Sequence, residues 1–338
     1  MHTFALAARR PALTFVVSTV AFSTVVTGFR PLATAATRRI LTFSSTGSIS
    51  SNTALTMSSS NEGLFLFDFD GVVCDSCDEC TVSALRTCQR LGIFAQDDEL
   101  RTLESPPAWL FDKMREIRPA IEVGWQIPVM LDVFLEQQKQ QSPLTVDEMI
   151  QQYQSLVDAW LEQNSKTDAD MIATFGQVRD DWIQDDLSSW LDINRFYPGV
   201  PAAMNQCKGS TVLVTTKQQR FAIALCRHAG VSEASLPDDK IYGLGQYAKK
   251  ADVICKHMAA GGYAPAQVHF FEDRWPTLAK CLQDKRLDGV NLYLCAWGYV
   301  ADWELELAKA EPRVTVLELD GFGRVVAGSS SAKEASNT

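Results

Sequence analysis

The spacing of apolar residues changes twice along this chain of 338 residues. A short apolar run at 64–67 has the length of a buried strand, and after Asp75 the apolar positions recur at helical intervals. From Phe196 onward, short apolar runs again alternate with helix-length segments. Because such alternation is typical of a parallel sheet covered by helices on both faces, we predict an α/β core with an inserted helical segment.

The predicted strands of the second half of the core are short runs rich in Val, Leu, Ile and Phe. They cover residues 211–214, 240–243, 268–271, 289–294 and 314–319. In an open sheet of parallel strands, active sites lie beyond the carboxyl ends of the strands. The polar residue that follows each strand is therefore the first place to look for chemistry.

The insertion shows helix signals and no convincing strand. Thr145 and Glu148 form a capping box at the start of an amphipathic pattern that runs to Leu161. A second helical pattern carries Trp182 and Trp190. Aromatic residues at such spacing are typical of a packed core, so we predict an all-helical insertion at 83–195 between core segments 61–82 and 196–326.

The first 60 residues differ in composition from the rest. They contain five arginines, many Ser and Thr, and no acid. An uncharged stretch at 11–28 is followed by a further Arg-rich, acid-free run, which resembles the two-part presequence of proteins imported into secondary plastids. We therefore predict a plastid protein, with mitochondrial import as the alternative. The Ser- and Ala-rich tail at 327–338 is predicted to be unstructured.

The net charge limits the partners. Without the first 60 residues, 26 basic residues face 41 acidic ones, a balance of about −15. Such a body should avoid nucleic acid and, after removal of the presequence, anionic membranes. An anionic substrate would then need a local positive site.

Two carboxylates directly follow the first apolar run. Asp68 and Asp70 are two positions apart, so in extended backbone both side chains leave the same face of the strand. Carboxylates held this close repel each other and require a bound cation or a proton. Gly71 permits a sharp turn after the pair.

Three further strand ends carry polar residues. Thr215 and Thr216 follow 211–214, and Glu272 and Asp273 follow 268–271. Two adjacent lysines, Lys249 and Lys250, follow 240–243, and spacing alone does not choose between them.

The order of these runs resembles the four motifs of the haloacid dehalogenase-like hydrolase superfamily, with its Rossmann-like core and inserted helical cap. The resemblance implies that Asp68 is the nucleophile, that Asp70 is the general acid and base, and that Thr215 binds the phosphoryl group. It also implies that Gly71 and Thr216 contact phosphate and that Lys249 or Lys250 is the motif lysine.

The metal site also follows from the resemblance. It implies Mg²⁺ held by Asp68, by the main-chain carbonyl of Asp70 and by Asp273. Many relatives have Gly-Asp followed by another Asp four positions later, and this chain has Glu272 and Thr277 at the two differing positions. Glu272 is therefore expected to replace the distal acid, directly or through water.

Two accessory runs, Tyr197-Pro198-Gly199-Val200 and Ala296-Trp297-Gly298-Tyr299, resemble the phosphoglycolate phosphatase-like branch. The expected activity is hydrolysis of a small phosphorylated metabolite. The alternatives are a phosphomutase, which shares the same catalytic residues, and a non-catalytic, metal-binding or regulatory protein of the same fold. Candidate substrate contacts from the cap, alternatively a plain surface loop, are Arg115, Arg118, Glu122 and Trp125.

The nine cysteines do not indicate a zinc site. Cys74, Cys77 and Cys80 have the two-residue spacing of zinc ligands, but the next cysteine is Cys88, and no well-spaced histidine follows. We predict buried thiols in a reducing compartment. His269 is predicted to be a core histidine.

Overall fold

The computed structural model describes residues 63–94 and 99–328. The predictions made for residues 1–60 and for most of the tail concern residues outside these ranges and stay predictions. Among the helices of the described ranges, none is both long enough and apolar enough to cross a membrane.

A sheet of six parallel strands forms the centre of the fold. The predicted strands are all present, with ends shifted by a few residues. The strands of the sheet are β1 (Leu64–Phe67), β4 (Ser210–Val214), β5 (Ile241–Tyr242), β6 (Val268–Glu272), β7 (Asn291–Cys295) and β8 (Val314–Leu317). Their spatial order in the sheet is β5-β4-β1-β6-β7-β8.

β1 lies between β4 and β6 and is buried on both faces. Phe65 and Phe67 pack into one apolar cluster, whereas Leu64 and Leu66 pack into a second cluster on the opposite side. This two-sided burial explains why β1 is apolar at every position instead of alternating.

Helices cover both faces of the sheet and form the insertion. Those before β4 are α1 (Cys77–Leu91), α2 (Ala108–Ile117), α3 (Ile127–Gln138), α4 (Val146–Gln151), α5 (Tyr153–Gln163), α6 (Asp168–Asp192) and α7 (Val200–Gln206). Those after β4 are α8 (Gln219–His228), α9 (Lys250–Gly261), α10 (Trp275–Gln283), α11 (Asp302–Ala310) and α12 (Leu319–Val326).

The helices α1 to α6 enclose an apolar cluster of their own, built from Leu85, Met114, Phe134, Trp160 and neighbouring side chains. Between residues 83 and 194, the described part of the chain contains helices, turns and loops but no strand. The predicted division into a core and a cap, with the cap at residues 83–195, stays a prediction, because the described residues belong to one compact unit.

Two predicted helices are interrupted. The capping box forms, with the Thr145 hydroxyl accepting from the Glu148 N–H, but the helix breaks at Gln152 (φ −100°, ψ 8°). The helix α6 kinks at Asp186, which has φ −154° and ψ 83°. Its carboxylate accepts from the Ser189 N–H and caps the following turns, an interaction that competes with a continuous helix.

A small antiparallel ribbon was not predicted. It joins β2 (Cys74–Asp75) to β3 (Arg195–Phe196), at the two ends of the insertion. Two-residue strands carry no periodicity, so the apolar pattern gives no sign of them.

Candidate active site

Three carboxylates meet where β1 and β6 end. Asp68 directly follows β1, Glu272 is the last residue of β6, and Asp273 comes next. These strands are parallel neighbours, so their carboxyl ends lie at the same edge of the sheet. One carboxylate oxygen from each residue lies within 4.8 Å of the others.

Asp68 is fixed by its main chain and by one lysine. Its N–H donates to the carbonyl of Phe271 (2.9 Å), which extends the β1–β6 pairing by one residue. Its Oδ1 accepts from the Phe69 N–H (2.8 Å) and lies 3.0 Å from the Nζ of Lys250. The side chain is almost fully buried but borders a large cavity.

The two candidate lysines have different surroundings. Lys250 is the first residue of α9, and its Nζ contacts both Asp68 and Glu272 (3.0 and 2.8 Å). Burial opposes its charged form, but the two carboxylates outweigh burial and raise the pKa of Lys250. Lys249 is exposed on the cavity wall and forms no ion pair with any described residue. The geometry therefore favours Lys250 as the motif lysine.

Asp273 accepts a hydrogen bond from the main chain, and two glycines pack closely against its side chain. Its Oδ2 accepts from the Tyr299 N–H (2.7 Å), and its side chain is 1% exposed. Gly71 has φ +85°, and a Cβ there would overlap the Asp273 carboxylate; Gly298 faces the same side chain. The structure thus places Gly71 where any larger residue would displace Asp273.

This cluster has the charge and donor set for a divalent cation. Burial raises the pKa of Asp68, Asp273 and Glu272, and mutual repulsion adds to the rise. Three ionised carboxylates beside the single ammonium of Lys250 leave two negative charges, and in the described chain Asp273 forms no ion pair. An all-oxygen set of this kind suits Mg²⁺.

Both carboxylate oxygens of Glu272 have a protein partner. Its Oε2 contacts Lys250 (2.8 Å), and its Oε1 accepts from the Arg274 N–H (3.2 Å). Its direct role at a metal stays a prediction, and holding Lys250 against Asp68 is the role that its contacts show.

Asp70 faces a different group of side chains. Its Oδ1 accepts from the Ser76 hydroxyl (2.5 Å) and lies 3.2 Å from the Nζ of Lys217. Burial alone would raise the pKa of Asp70, but Lys217, followed by Arg118, outweighs burial and lowers it. The Asp70 carboxylate is not part of the three-carboxylate group, so only its main-chain carbonyl would serve as the predicted metal ligand.

Behind Asp70 lies a buried ion-pair network that the sequence reasoning missed. Lys217 is 3% exposed and also contacts Glu79 (3.8 Å). Glu79 accepts two hydrogen bonds from Arg179 of α6 (2.7 and 2.6 Å). Burial opposes the charge on Glu79, but Arg179 and Lys217 lower its pKa to about 2. The network links the insertion to the carboxylate predicted to act as acid and base.

The two threonines after β4 are placed differently. Thr215 is fully buried, and its hydroxyl accepts from the Lys217 N–H (3.1 Å). Thr216 is half-buried and borders the large cavity next to Asp68. The phosphate contact predicted for Thr215 stays a prediction, and Thr216 is the one of the two that lines the cavity.

The four candidate substrate contacts from the insertion lie in different surroundings. Arg118 is buried, stacks over the Tyr299 ring (4.0 Å to its centroid) and lines a small cavity beside Asp70. Glu122 borders the large cavity and pairs with Lys280 (3.0 Å). Arg115 instead pairs with Asp75 and Asp78, and Trp125 packs into the cluster of the insertion.

The remaining predictions concern structural side chains. The thiols of Cys74, Cys77 and Cys80 are free and buried, and burial raises their pKa. His269 stacks on Phe65 (4.6 Å between centroids) and contacts the Tyr293 hydroxyl (3.1 Å). Buried protonated thiols and a stacked imidazole are typical of a packed interior.

The large cavity measures about 870 Å³ and has Asp68, Thr216 and Lys250 on its wall. Its volume is near the upper end of the ~300–1,000 Å³ that is typical of small-molecule sites. The cavity is therefore large enough to hold a small molecule beside Asp68.

No family model matches the chain, and no curated protein matches it. Solved structures do. A protein from Clostridium acetobutylicum described as a predicted phosphatase is 16% identical, with a TM-score of 0.50 over 79% of this chain and 99% of that chain.

Two further solved structures align over similar lengths. A predicted phosphoglycolate phosphatase from Haemophilus somnus is 15% identical (TM-score 0.48, 79% of this chain and 99% of that chain). A haloacid dehalogenase-like hydrolase from Streptococcus pneumoniae is 14% identical (TM-score 0.42, 78% and 97%). At these identities the likeness is one of fold. The predicted α/β fold, a parallel sheet with helices on both faces and a helical insertion, is confirmed.

Proposed function

We propose that this protein is a Mg²⁺-dependent phosphatase that hydrolyses a small phosphorylated metabolite through an aspartyl-phosphate intermediate. The observation that carries the proposal is the meeting of Asp68, Glu272 and Asp273 at adjacent strand ends, with Lys250 among them. The likeness to a structure described as a predicted phosphatase supports it.

In the first step, an Asp68 oxygen attacks phosphorus while the bond between phosphorus and the leaving oxygen breaks. Asp70 donates a proton to the departing alkoxide. In the second step, water attacks the same phosphorus, Asp70 accepts a proton from that water, and the bond to Asp68 breaks. Inorganic phosphate and the original carboxylate are the products.

Asp70 must be protonated in the first step and ionised in the second. Lys217 and Arg118 favour the carboxylate in the free protein, which suits the second step. A bound phosphate dianion beside Asp70 opposes that preference, because a nearby negative charge favours the neutral acid. Substrate binding thus prepares the acid for the first step.

Mg²⁺ held by Asp68, Asp273 and the carbonyl of Asp70, with Glu272 directly or through water, would reduce the repulsion between a carboxylate and a phosphate dianion. Lys250 keeps Asp68 oriented and offsets part of the charge. The helices of the insertion exclude water from the buried wall around Asp70.

The test is turnover of p-nitrophenyl phosphate by the full chain over a range of Mg²⁺ concentrations. We expect Mg²⁺-dependent hydrolysis by the wild type and its loss in Asp68→Asn. Asp239 is an exposed acid that does not line the cavity, so Asp239→Asn is the control and should turn over at the wild-type rate. Equal rates in the wild type and Asp68→Asn would contradict the proposal.

A further inference from the structure

Residues of α10 form part of the wall of the cavity beside Asp68. Thr277, Lys280 and Cys281 line it, and their spacing of i, i+3 and i+4 places them along one side of the helix, while Asp284 lines it directly after the helix ends. Lys285 lines the same cavity just beyond the end of α10. From Thr277 to Gln283 the lining follows α10 for about 9 Å, at about 1.5 Å per residue, and Asp284 and Lys285 continue it beyond the helix.

The charges on the outer wall are mostly positive. Apart from Asp68, Glu272 and Lys250, the charged lining residues are Lys249, Arg274, Lys280, Lys285, Glu122 and Asp284. Four cations and two acids give a local balance of +2. The chain that surrounds the cavity carries about −15 outside its first 60 residues, so this balance is opposite to that of the molecule.

Two of these charged groups form no ion pair with a described residue, whereas the others have protein partners. Lys280 pairs with Glu122, and Asp284 pairs with Arg286 (2.5 Å). In the described ranges, Lys249 and Lys285 form no ion pair. The Nε of Arg274 and the hydroxyl of Tyr247 belong to two further lining residues, and both atoms are buried without a hydrogen-bond partner. Buried polar groups normally find a partner, so these atoms fit a polar guest.

From these observations we propose that the substrate is an elongated phosphomonoester whose far end carries a second anionic group, a phosphate or a carboxylate. Lys249 and Lys285 bind that group while the reacting phosphoryl group lies at Asp68. The inference rests on the proposed phosphatase function and adds the class of substrate. A compact substrate with a single charged end would leave the outer cations unused.

The experiment compares three substrates with the same carbon chain: glucose 6-phosphate, 6-phosphogluconate and glucose 1,6-bisphosphate. Compared with glucose 6-phosphate, we expect kcat/KM to be at least tenfold higher for one or both of the substrates with two anionic groups, with the release of phosphate from C6 measured separately for the bisphosphate. The higher kcat/KM should come mainly from a lower KM, and the difference between substrates should decrease at high ionic strength. Whichever of the two substrates is preferred identifies the anionic group as carboxylate or phosphate.

The double variant Lys249→Gln/Lys285→Gln should reduce this preference to near unity. Lys208→Gln, an exposed lysine before β4, is the matched control and should keep the full preference. Equal kcat/KM for all three substrates, or a preference that survives the double variant, would overturn the inference. Turnover of p-nitrophenyl phosphate is measured in parallel: its absence from the wild type refutes the phosphatase function itself, whereas its presence without the preference refutes only the class of substrate.

Discussion

Lys217 connects the chemistry at the sheet edge to the buried charges of the insertion. Its ammonium lies 3.2 Å from Asp70 and 3.8 Å from Glu79, and it is almost fully buried. A lysine in this position holds Asp70 in place and favours its ionised form. It is therefore a positioning residue for Asp70, the residue that we propose as acid and base.

Replacing Lys217 by Met should lower kcat by roughly 10- to 100-fold with a smaller change in KM, since general acid–base catalysis contributes about 10²- to 10⁴-fold. Lys217→Arg keeps the charge and should recover part of kcat. Steady-state kinetics on p-nitrophenyl phosphate measures both, with Lys208→Met as the matched control. Unchanged kcat in a folded Lys217→Met protein would show that Asp70 does not depend on this lysine.

Among the residues of the candidate site, those that directly follow strands could be predicted from the sequence. Asp68, Asp70 and Asp273 were located because a strand end can be read from the apolar pattern. Lys217 also follows β4, directly after Thr216, and that position was the available signal. Its importance depends on Glu79 and Arg179, which are distant in sequence and belong to no motif, so only the structure could bring them together.

The turn after β1 is the element on which the site depends most. Gly71 has φ +85°, a conformation that costs an L-residue on the order of 1–3 kcal/mol. A side chain there would also meet the Asp273 carboxylate. The turn can therefore form next to Asp273 only with glycine.

Gly71→Ala should abolish most of the activity, and Gly230→Ala provides the comparison. Gly230 has a similar φ of +79°, but a Cβ there meets nothing within 4 Å. Both variants should lose about 1–2 kcal/mol of unfolding free energy from backbone strain, and only Gly71→Ala should lose turnover and Mg²⁺ response. Equal activity in the two variants would show that the space beside Asp273 is not needed.

The presence of the helices and strands was predicted more accurately than the residues at which they begin, end or break. Periodicity located the strands of the sheet and the helical insertion, because two-sided and one-sided burial leave clear patterns. It missed the interruptions at Gln152 and Asp186. At Asp186 the carboxylate accepts from the Ser189 N–H, a local hydrogen bond that leaves no trace in the apolar pattern. The two-residue β2–β3 ribbon was too short to leave a pattern.

For the molecule as a whole, the buried network of Glu79, Arg179 and Lys217 contributes to stability in a pH-dependent way. The pKa of Glu79 is about 2 in the folded chain and 4.5 as a free side chain. Because the folded pKa is lower, this stabilisation is complete above pH 4.5 and is lost as the pH falls through about 2.

Glu79→Gln should therefore lower the unfolding free energy by about 3 kcal/mol at neutral pH, the order expected when one partner of a buried ion pair is removed. The difference from the wild type should shrink as the pH is lowered from 5 toward 3. Urea unfolding at several pH values measures it, and Glu306→Gln, an exposed acid paired with Lys309, is the control. A difference that does not depend on pH would argue against an ionised Glu79.

The central claim is that Asp68 receives the phosphoryl group. The most direct measurement is the mass of the Asp68-containing peptide after the full chain is mixed with a turned-over phosphomonoester and Mg²⁺ and quenched in acid within one turnover. The account predicts a peptide heavier by one phosphoryl group, absent in Asp68→Asn and lost on longer incubation. Product formation while the Asp68 peptide stays unmodified at every time point, with the phosphoryl group found on another residue, would contradict it.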